Sequence, residues 1–91
     1  VDLSAQQFEL NDLTIAPNPN TGNFNVKFNS ASDKDIVINV YDISGRQIFA
    51  KTYPSQSLFS QNIQLDTVES GVYLVNIQNG SQKSVRKIVV Q

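Results

Sequence analysis

The chain has 91 residues, a length that fits one domain with one modest hydrophobic core. It contains no Cys and no His, which excludes disulfides, thiolate metal sites and the commonest general base of enzymes. The formal net charge of −1 is too close to neutral for a nucleic-acid-binding domain, and no segment is long and apolar enough to span a bilayer.

Charge is divided unevenly between the two halves of the chain. Residues 1–45 carry six acidic and two basic side chains, a balance of −4, whereas residues 46–91 carry two acidic and five basic ones, a balance of +3. One interpretation is that antiparallel strands bring these charges together as solvated pairs. The other is that a basic C-terminal strand meets an acidic partner. Since the chain begins with Val1 and contains no Met, we expect it to be a fragment of a longer precursor.

The first elements are a lead-in and a short strand. Residues 1–12 are polar with isolated apolar positions and are interpreted as a linker, with the domain spanning residues 13–91. From Leu13 onward, short apolar alternations are broken by turn residues about every ten positions, which is typical of a sandwich or barrel. The first of these predicts a strand over Leu13–Ala16.

A stiff corner follows in Pro17-Asn18-Pro19 and Gly22, because proline fixes φ and glycine accepts a positive φ. A strand is then predicted over Phe24–Phe28, with its three apolar side chains inward. The polar loop after it carries Asp33 and Asp35.

The middle of the chain predicts a hairpin and a further strand. Ile36–Tyr41 is apolar on both faces, as in a central strand that is covered on both sides. Asp42 to Gly45 predicts a type I turn closed by glycine in the left-handed region, leading into a strand over Arg46–Tyr53. Leu58–Leu65 alternates as the next strand.

A last hairpin is predicted around Asn79-Gly80, between Gly71–Ile77 and a strand that runs to about Val90. Its register is open, because one residue of slip exchanges the two faces. A two-residue loop places Tyr73, Val75 and Ile77 opposite Arg86, Ser84 and Gln82, and a three-residue loop places them opposite Lys87, Val85 and Lys83.

Seven strands without a helix predict an all-β, immunoglobulin-like β-sandwich of antiparallel strands with Greek-key connections. The stretch Glu69-Ser70-Gly71-Val72-Tyr73 resembles the tyrosine corner of immunoglobulin domains, in which the Tyr hydroxyl bonds to nearby backbone. Val75 stands where those domains carry Cys, so the relation is one of architecture.

Little in the sequence indicates catalysis or a cofactor. Asp33 and Asp35 offer two oxygen ligands to Ca²⁺, but a calcium site needs six to eight, so a solvated loop is the preferred interpretation. A carboxylate pair for glycoside hydrolysis could be drawn from Asp42 and Asp66, but both are better explained as turn residues. We predict no enzyme activity, no metal and no cofactor.

Four features occur together and in order, the last of them just before the final residue. They are Pro17-Asn18-Pro19 with Gly22, Val40-Tyr41-Asp42 with Gly45-Arg46, Gly71-Val72-Tyr73, and Lys87-Ile88-Val89-Val90. Over Leu13 to Gln91 the chain thereby resembles the type A C-terminal sorting domains of the type IX secretion system of Bacteroidota.

The resemblance implies an immunoglobulin-like domain that targets an N-terminally attached cargo protein to the outer-membrane translocon. It also implies shuttle proteins as partners and a sortase that cleaves the domain off. The cargo would pass through the periplasm to the cell surface or the medium, and the domain would carry no nucleic-acid site.

Partner recognition in that family falls on the last strands, which correspond here to Gly71, Tyr73, Lys87, Val89 and Val90. For Lys87 a surface strand residue and a partner contact are equally open. The corner residues Pro17, Asn18, Pro19 and Gly22 and the turn residues Asp42 and Gly45 are interpreted as determinants of the fold.

Recognition by a partner sheet, or pairing into a dimer, would use the unpaired edge of the last strand. A different function for the same fold is a spacer or adhesive module of a surface protein. A carbohydrate-binding module is the third interpretation, although Trp is absent and exposed aromatic residues are scarce.

Overall fold

The computed structural model describes residues 11–30, 33–66 and 68–91, which form seven strands in two packed sheets. One sheet has the order β1-β2-β5 and the other β4-β3-β6-β7, and all neighbouring strands are antiparallel. This confirms the predicted immunoglobulin-like sandwich. Within these ranges no helix could cross a membrane. The strands are β1 (Asn11–Ala16), β2 (Asn23–Asn29), β3 (Ile36–Asp42), β4 (Gln47–Tyr53), β5 (Leu58–Gln64), β6 (Gly71–Asn79) and β7 (Gln82–Val90).

The core lies between the two sheets and follows the predicted alternation of apolar residues. Phe28 and Phe59 stack with their ring centroids 5.0 Å apart, and Tyr53 meets Phe59 edge-on at 5.2 Å. Packing of these side chains joins the two sheets without a disulfide, as the composition requires. The buried apolar residues are Phe24, Val26, Phe28, Ile36, Ile38, Val40, Tyr53, Phe59, Ile63, Leu65, Tyr73, Val75, Ile77, Ile88 and Val90.

The first strand begins at Asn11, two residues before its predicted start at Leu13. Asn11 pairs with Asn29, and the register shifts before Thr14, where Asp12 has a φ of 55°. A bulge of this kind interrupts the alternation, so the sequence pattern did not reveal the first two positions. Residues 1–10 of the predicted lead-in lie outside the described residues.

The central position of β3, between β4 and β6, is confirmed. The expectation that it is covered on both sides is wrong, because no described element lies over its outer side chains, Val37 and Tyr41. Both are half-buried by their neighbours within the sheet.

Both predicted registers of the last hairpin are wrong. The loop has two residues, but they are Gly80 and Ser81, so that Tyr73 lies opposite Ile88. The Asn79 side chain causes the displacement, because it is fully buried, donates to the carbonyl of Lys34 at 2.9 Å and accepts from the Ser30 hydroxyl at 2.8 Å. These contacts hold Asn79 in β6 and shift the turn by one residue.

Candidate functional site

The four sequence motifs meet at one end of the sandwich, which we call the motif pole. Antiparallel strands alternate in direction, so the corner at residues 17–22, the turn at residues 42–45, the start of β6 and the end of β7 share this end. Gly71 pairs with Val90, Asp42 pairs with Tyr73, and Asn20 forms a parallel bridge to Val90. The opposite end, which holds the 80–81 loop, is the far pole.

The corner segment, residues 17–22, lies along the outer edge of β7. The side chain of Asn18 accepts from Val89 N at 2.9 Å and donates to the carbonyl of Lys87 at 3.2 Å. The main chain of Asn20 donates to the carbonyl of Val89 at 2.9 Å and accepts from Gln91 N at 2.8 Å. These four bonds occupy the outward main-chain groups of β7 from the Lys87 carbonyl to Gln91 N.

The hypothesis that the last strand presents a free edge is therefore wrong for this half of β7. A partner strand, or a second copy of the chain, would first have to displace the corner segment from Lys87 to Gln91. In the other half, the carbonyl of Val85 accepts from Arg86 Nη1 at 3.2 Å.

The corner keeps its shape through Asn20, which is only 5% exposed. Its amide donates to the carbonyl of Pro17 at 3.1 Å and its Oδ1 accepts from Gly22 N at 2.9 Å. Gly22 has a φ of 105°, and a Cβ there would lie 3.1 Å from Val68 Cγ2, so glycine is required. The carbonyl of Gly22 accepts from Leu65 N at 2.8 Å, which ties the corner to the end of β5.

Asn20 is the important residue at this pole that the sequence interpretation did not single out. The signal was present, since an Asn two residues before a Gly commonly bonds forward to the backbone in a tight turn. Pro17, Asn18 and Pro19 are exposed, and both prolines follow cis peptide bonds.

The predicted turn after β3 is confirmed, with Gly45 N donating to the Asp42 carbonyl at 3.0 Å and a Gly45 φ of 91°. The Asp42 carboxylate accepts from Ser44 Oγ at 2.6 Å, from Ser44 N at 3.0 Å and from Arg46 N at 2.9 Å. Arg46 Nε adds an ion pair at 3.2 Å. The hydrogen bonds from the Ser44 hydroxyl and from Arg46 N lower the pKa of Asp42 below its ordinary value. This carboxylate thus serves to fix the turn.

The predicted tyrosine corner is present, because the Tyr73 hydroxyl donates to the carbonyl of Glu69 at 2.7 Å while the ring is buried. Val90 is also buried, Gly71 is half-buried, and Val89 is half-buried on the outer face of the sheet. Of the five residues assigned to partner recognition, Lys87 alone is exposed. The side chains of Tyr73 and Val90 are therefore part of the core, where a partner could not contact them directly.

An open groove at the motif pole is lined by Asp42 and Asp66, so the structure does bring these two carboxylates to one place. Asp42 is already engaged by its own turn, as described above. Asp33 and Asp35 are exposed near the far pole. No group of three or more acidic, His or Cys side chains in the described ranges is arranged to hold a metal ion.

The fold and the motif pole define a class of small immunoglobulin-like domain. In this class, the corner segment after the first strand is hydrogen-bonded to the outer edge of the last strand. The family model of the secretion system C-terminal sorting domain matches residues 14–91. The chain belongs to this family, the sorting domains of type IX secretion, which confirms the resemblance seen in the sequence. A comparison with curated proteins found no match.

Membership has three general consequences for the chain. It is a C-terminal sorting signal for type IX secretion, it implies a cargo on its N-terminal side, and it implies export toward the cell surface or the extracellular space.

Proposed function

We propose that the domain is a non-catalytic, removable label that carries its cargo through the periplasm to the type IX translocon. The translocon and its shuttle proteins recognise the folded domain, and the sortase cuts on its N-terminal side. No cofactor takes part.

The observation that carries this proposal is the position of the chain entry relative to the motif pole. Asn11 pairs with Asn29 at the end of β2, so the described chain enters at the far pole. A cargo attached there leaves the motif pole and the outer side of β7 accessible. Cleavage on the N-terminal side of the domain likewise acts at the end away from the motifs.

The burial of residues at the motif pole supports recognition of a folded shape. Asn20, Tyr73 and Val90 are all below 8% exposed, and their contacts join segments from both ends of the sequence. A short unfolded tail would lose every one of these contacts. Recognition of a folded domain would also allow the translocon to distinguish its cargo from other periplasmic proteins.

The test is to fuse residues 1–91 to the C-terminus of a reporter with an ordinary signal peptide, in a Bacteroidota strain with an active type IX system. In the active strain, we expect the reporter on the surface or in the medium, with the domain cleaved off. In a strain that lacks the translocon gene, we expect the uncleaved fusion in the periplasm. Export in the deletion strain, or retention in the active strain, contradicts targeting. An exported reporter that keeps the domain contradicts cleavage by the sortase.

A further inference from the structure

The outer face of the three-stranded sheet is polar. The outward positions are every second residue of β2 from Asn23 to Asn29 and of β5 from Leu58 to Gln64. Of these eight residues, only Leu58 is apolar. Asn25 Nδ2 donates to Asn62 Oδ1 at 3.0 Å, so that amides satisfy one another across the strands. This is the ordinary composition of a sheet face in water.

The outer face of β6 and β7 is different. Its eight outward positions are every second residue from Val72 to Gln78 in β6 and from Lys83 to Val89 in β7. Four of these residues are Val or Leu. Val72 is 37%, Leu74 40% and Val85 47% exposed, which makes them three of the five exposed large apolar residues in the described ranges. Exposed apolar residues that cluster in this way mark an interaction site more often than scattered ones do.

Strand register makes these residues one patch. Val72 lies opposite Val89, and Leu74 lies between Lys87 on one side and Tyr41 on the other. Direct cross-strand neighbours have Cβ atoms about 5 Å apart. Val85 lies opposite Asn76 and is a diagonal neighbour of Leu74, about 7–8 Å away, so its side chain extends the same surface. We call this surface, formed by Tyr41, Val72, Leu74, Val85, Lys87 and Val89, the hairpin face.

The charges next to the patch indicate what covers it. None of the eight outward positions on β6 and β7 is acidic, and two of them, Lys83 and Lys87, are basic and exposed. A second copy placed on this face would bring lysines toward lysines, which is unfavourable. A partner with an apolar centre and carboxylates at its rim would complement both features.

A membrane surface fits less well than a protein. Interfacial binding to lipid relies on Trp or Phe anchors and on clusters of about four to eight basic residues. The hairpin face has neither, since its one aromatic residue, Tyr41, is half-buried. Its one lysine is Lys87, and Lys83 lies beside it on the same side of the sheet.

We propose that the domain docks through the hairpin face onto a protein of the export apparatus. The contacting surface of that partner is apolar at its centre and carries acidic residues opposite Lys83 and Lys87. This rests on the proposed function and assigns it a site. The corner segment closes the Lys87 to Gln91 edge of β7, so the partner meets the face of the sheet. Lys87 is then a partner contact.

The test compares matched substitutions on the two outer faces in the reporter fusion. Leu74→Asn on the hairpin face is matched by Leu58→Asn, and Lys87→Glu is matched by Lys27→Glu, both controls lying on the three-stranded sheet. We expect Leu74→Asn and Lys87→Glu each to lower export about tenfold, the size of a moderate interface contact, while both controls export normally. Lys87→Arg, which keeps the charge, should export like the unsubstituted domain.

Each purified variant should have the same thermal unfolding midpoint as the unsubstituted domain. If Leu74→Asn folds poorly, Val85→Asn is a second variant of the hairpin face. Normal export of Leu74→Asn, Val85→Asn and Lys87→Glu would overturn the docking site and leave the label intact. Failure of the unsubstituted domain to export its reporter would instead defeat the label itself.

Two further measurements test the other occupants of the face. In analytical ultracentrifugation, a dimer that Leu74→Asn dissociates would assign the face to a second copy and overturn the proposal. If the domain floats with phosphatidylglycerol vesicles and Leu74→Asn does not, the hairpin face binds lipid, and the proposal is overturned. We expect a monomer that does not float.

Discussion

Each pole of the sandwich is closed by one buried asparagine, and the two differ in what they join. At the far pole, Asn79 is fully buried and joins the end of β6 to Ser30 and Lys34 in the β2–β3 loop. At the motif pole, Asn20 is 5% exposed, shapes the corner through Pro17 and Gly22, and lies against the end of β7.

The difference explains where the sequence motifs are concentrated. At the far pole, the Asn79 side chain ties the β2–β3 loop to β6, and none of the four motifs lies there. The motif pole must bring the corner segment to a strand about 70 positions later, and several residues in each segment share that task. The motif residues of the corner and of the β3–β4 turn therefore build the domain. The hairpin face, which is proposed to contact the partner, takes Tyr41, Val72, Lys87 and Val89 from the motifs and adds Leu74 and Val85.

The largest expected effect is that of Asn79→Ala. The change removes two hydrogen bonds in a fully buried place and leaves a small cavity, so we expect the free energy of unfolding to fall by about 2–3 kcal/mol in urea denaturation. Asn62→Ala on the exposed polar face is the control and should change it by less than about 0.5 kcal/mol. Equal effects of the two would mean that the far pole has no such tie.

A smaller effect is expected at the motif pole, where Asn18 and Asn20 can be separated by hydrogen exchange. Asn18→Ala removes the acceptor of Val89 N, so exchange at Val89 should accelerate while Gln91 N keeps its bond to the Asn20 carbonyl. Asn20→Ala should loosen the whole corner, accelerate both amides and cost about 1–2 kcal/mol. Protection of both amides in both variants would show that the corner does not hold β7.

The smallest expected effect is a pH dependence at the β3–β4 turn. Because the folded state lowers the pKa of Asp42, its contribution to stability is present above the ordinary Asp pKa of about 3.9 and is lost as pH falls through the lowered value. The difference in unfolding free energy between the unsubstituted chain and Asp42→Asn should therefore shrink on acidification below pH 4. A difference that stays constant from pH 7 to pH 2 would contradict this.

Local patterns in the sequence predicted the elements well. Alternation placed the inward residues of β2 and β5, and the turn chemistry of Asp42 and Gly45 placed the β3–β4 hairpin. These features depend on neighbours within a few positions, which the sequence displays directly. The Tyr73 hydroxyl bond was also predictable, because its acceptor lies only four residues away.

Contacts between distant segments were not predictable. The turn expected at Asn79-Gly80 moved because Asn79 bonds to residues 45 and 49 positions earlier. The edge of β7 was expected to be free because nothing in the final strand indicates that Asn18 and Asn20 bond to it. The hairpin face did leave a signal, since four consecutive apolar residues from Val72 to Val75 place apolar side chains on both sides of a strand.

The bonds between the corner and β7 also bear on when the domain can form during translation. Asn18 finds its hydrogen-bond partners 69 and 71 positions later, so a nascent chain that lacks residues 87–91 has an open corner. Closing so long a loop is entropically costly and is rewarded only once the final strand emerges from the ribosome. A machine that accepts only the closed form would thereby reject every polypeptide whose synthesis stopped early.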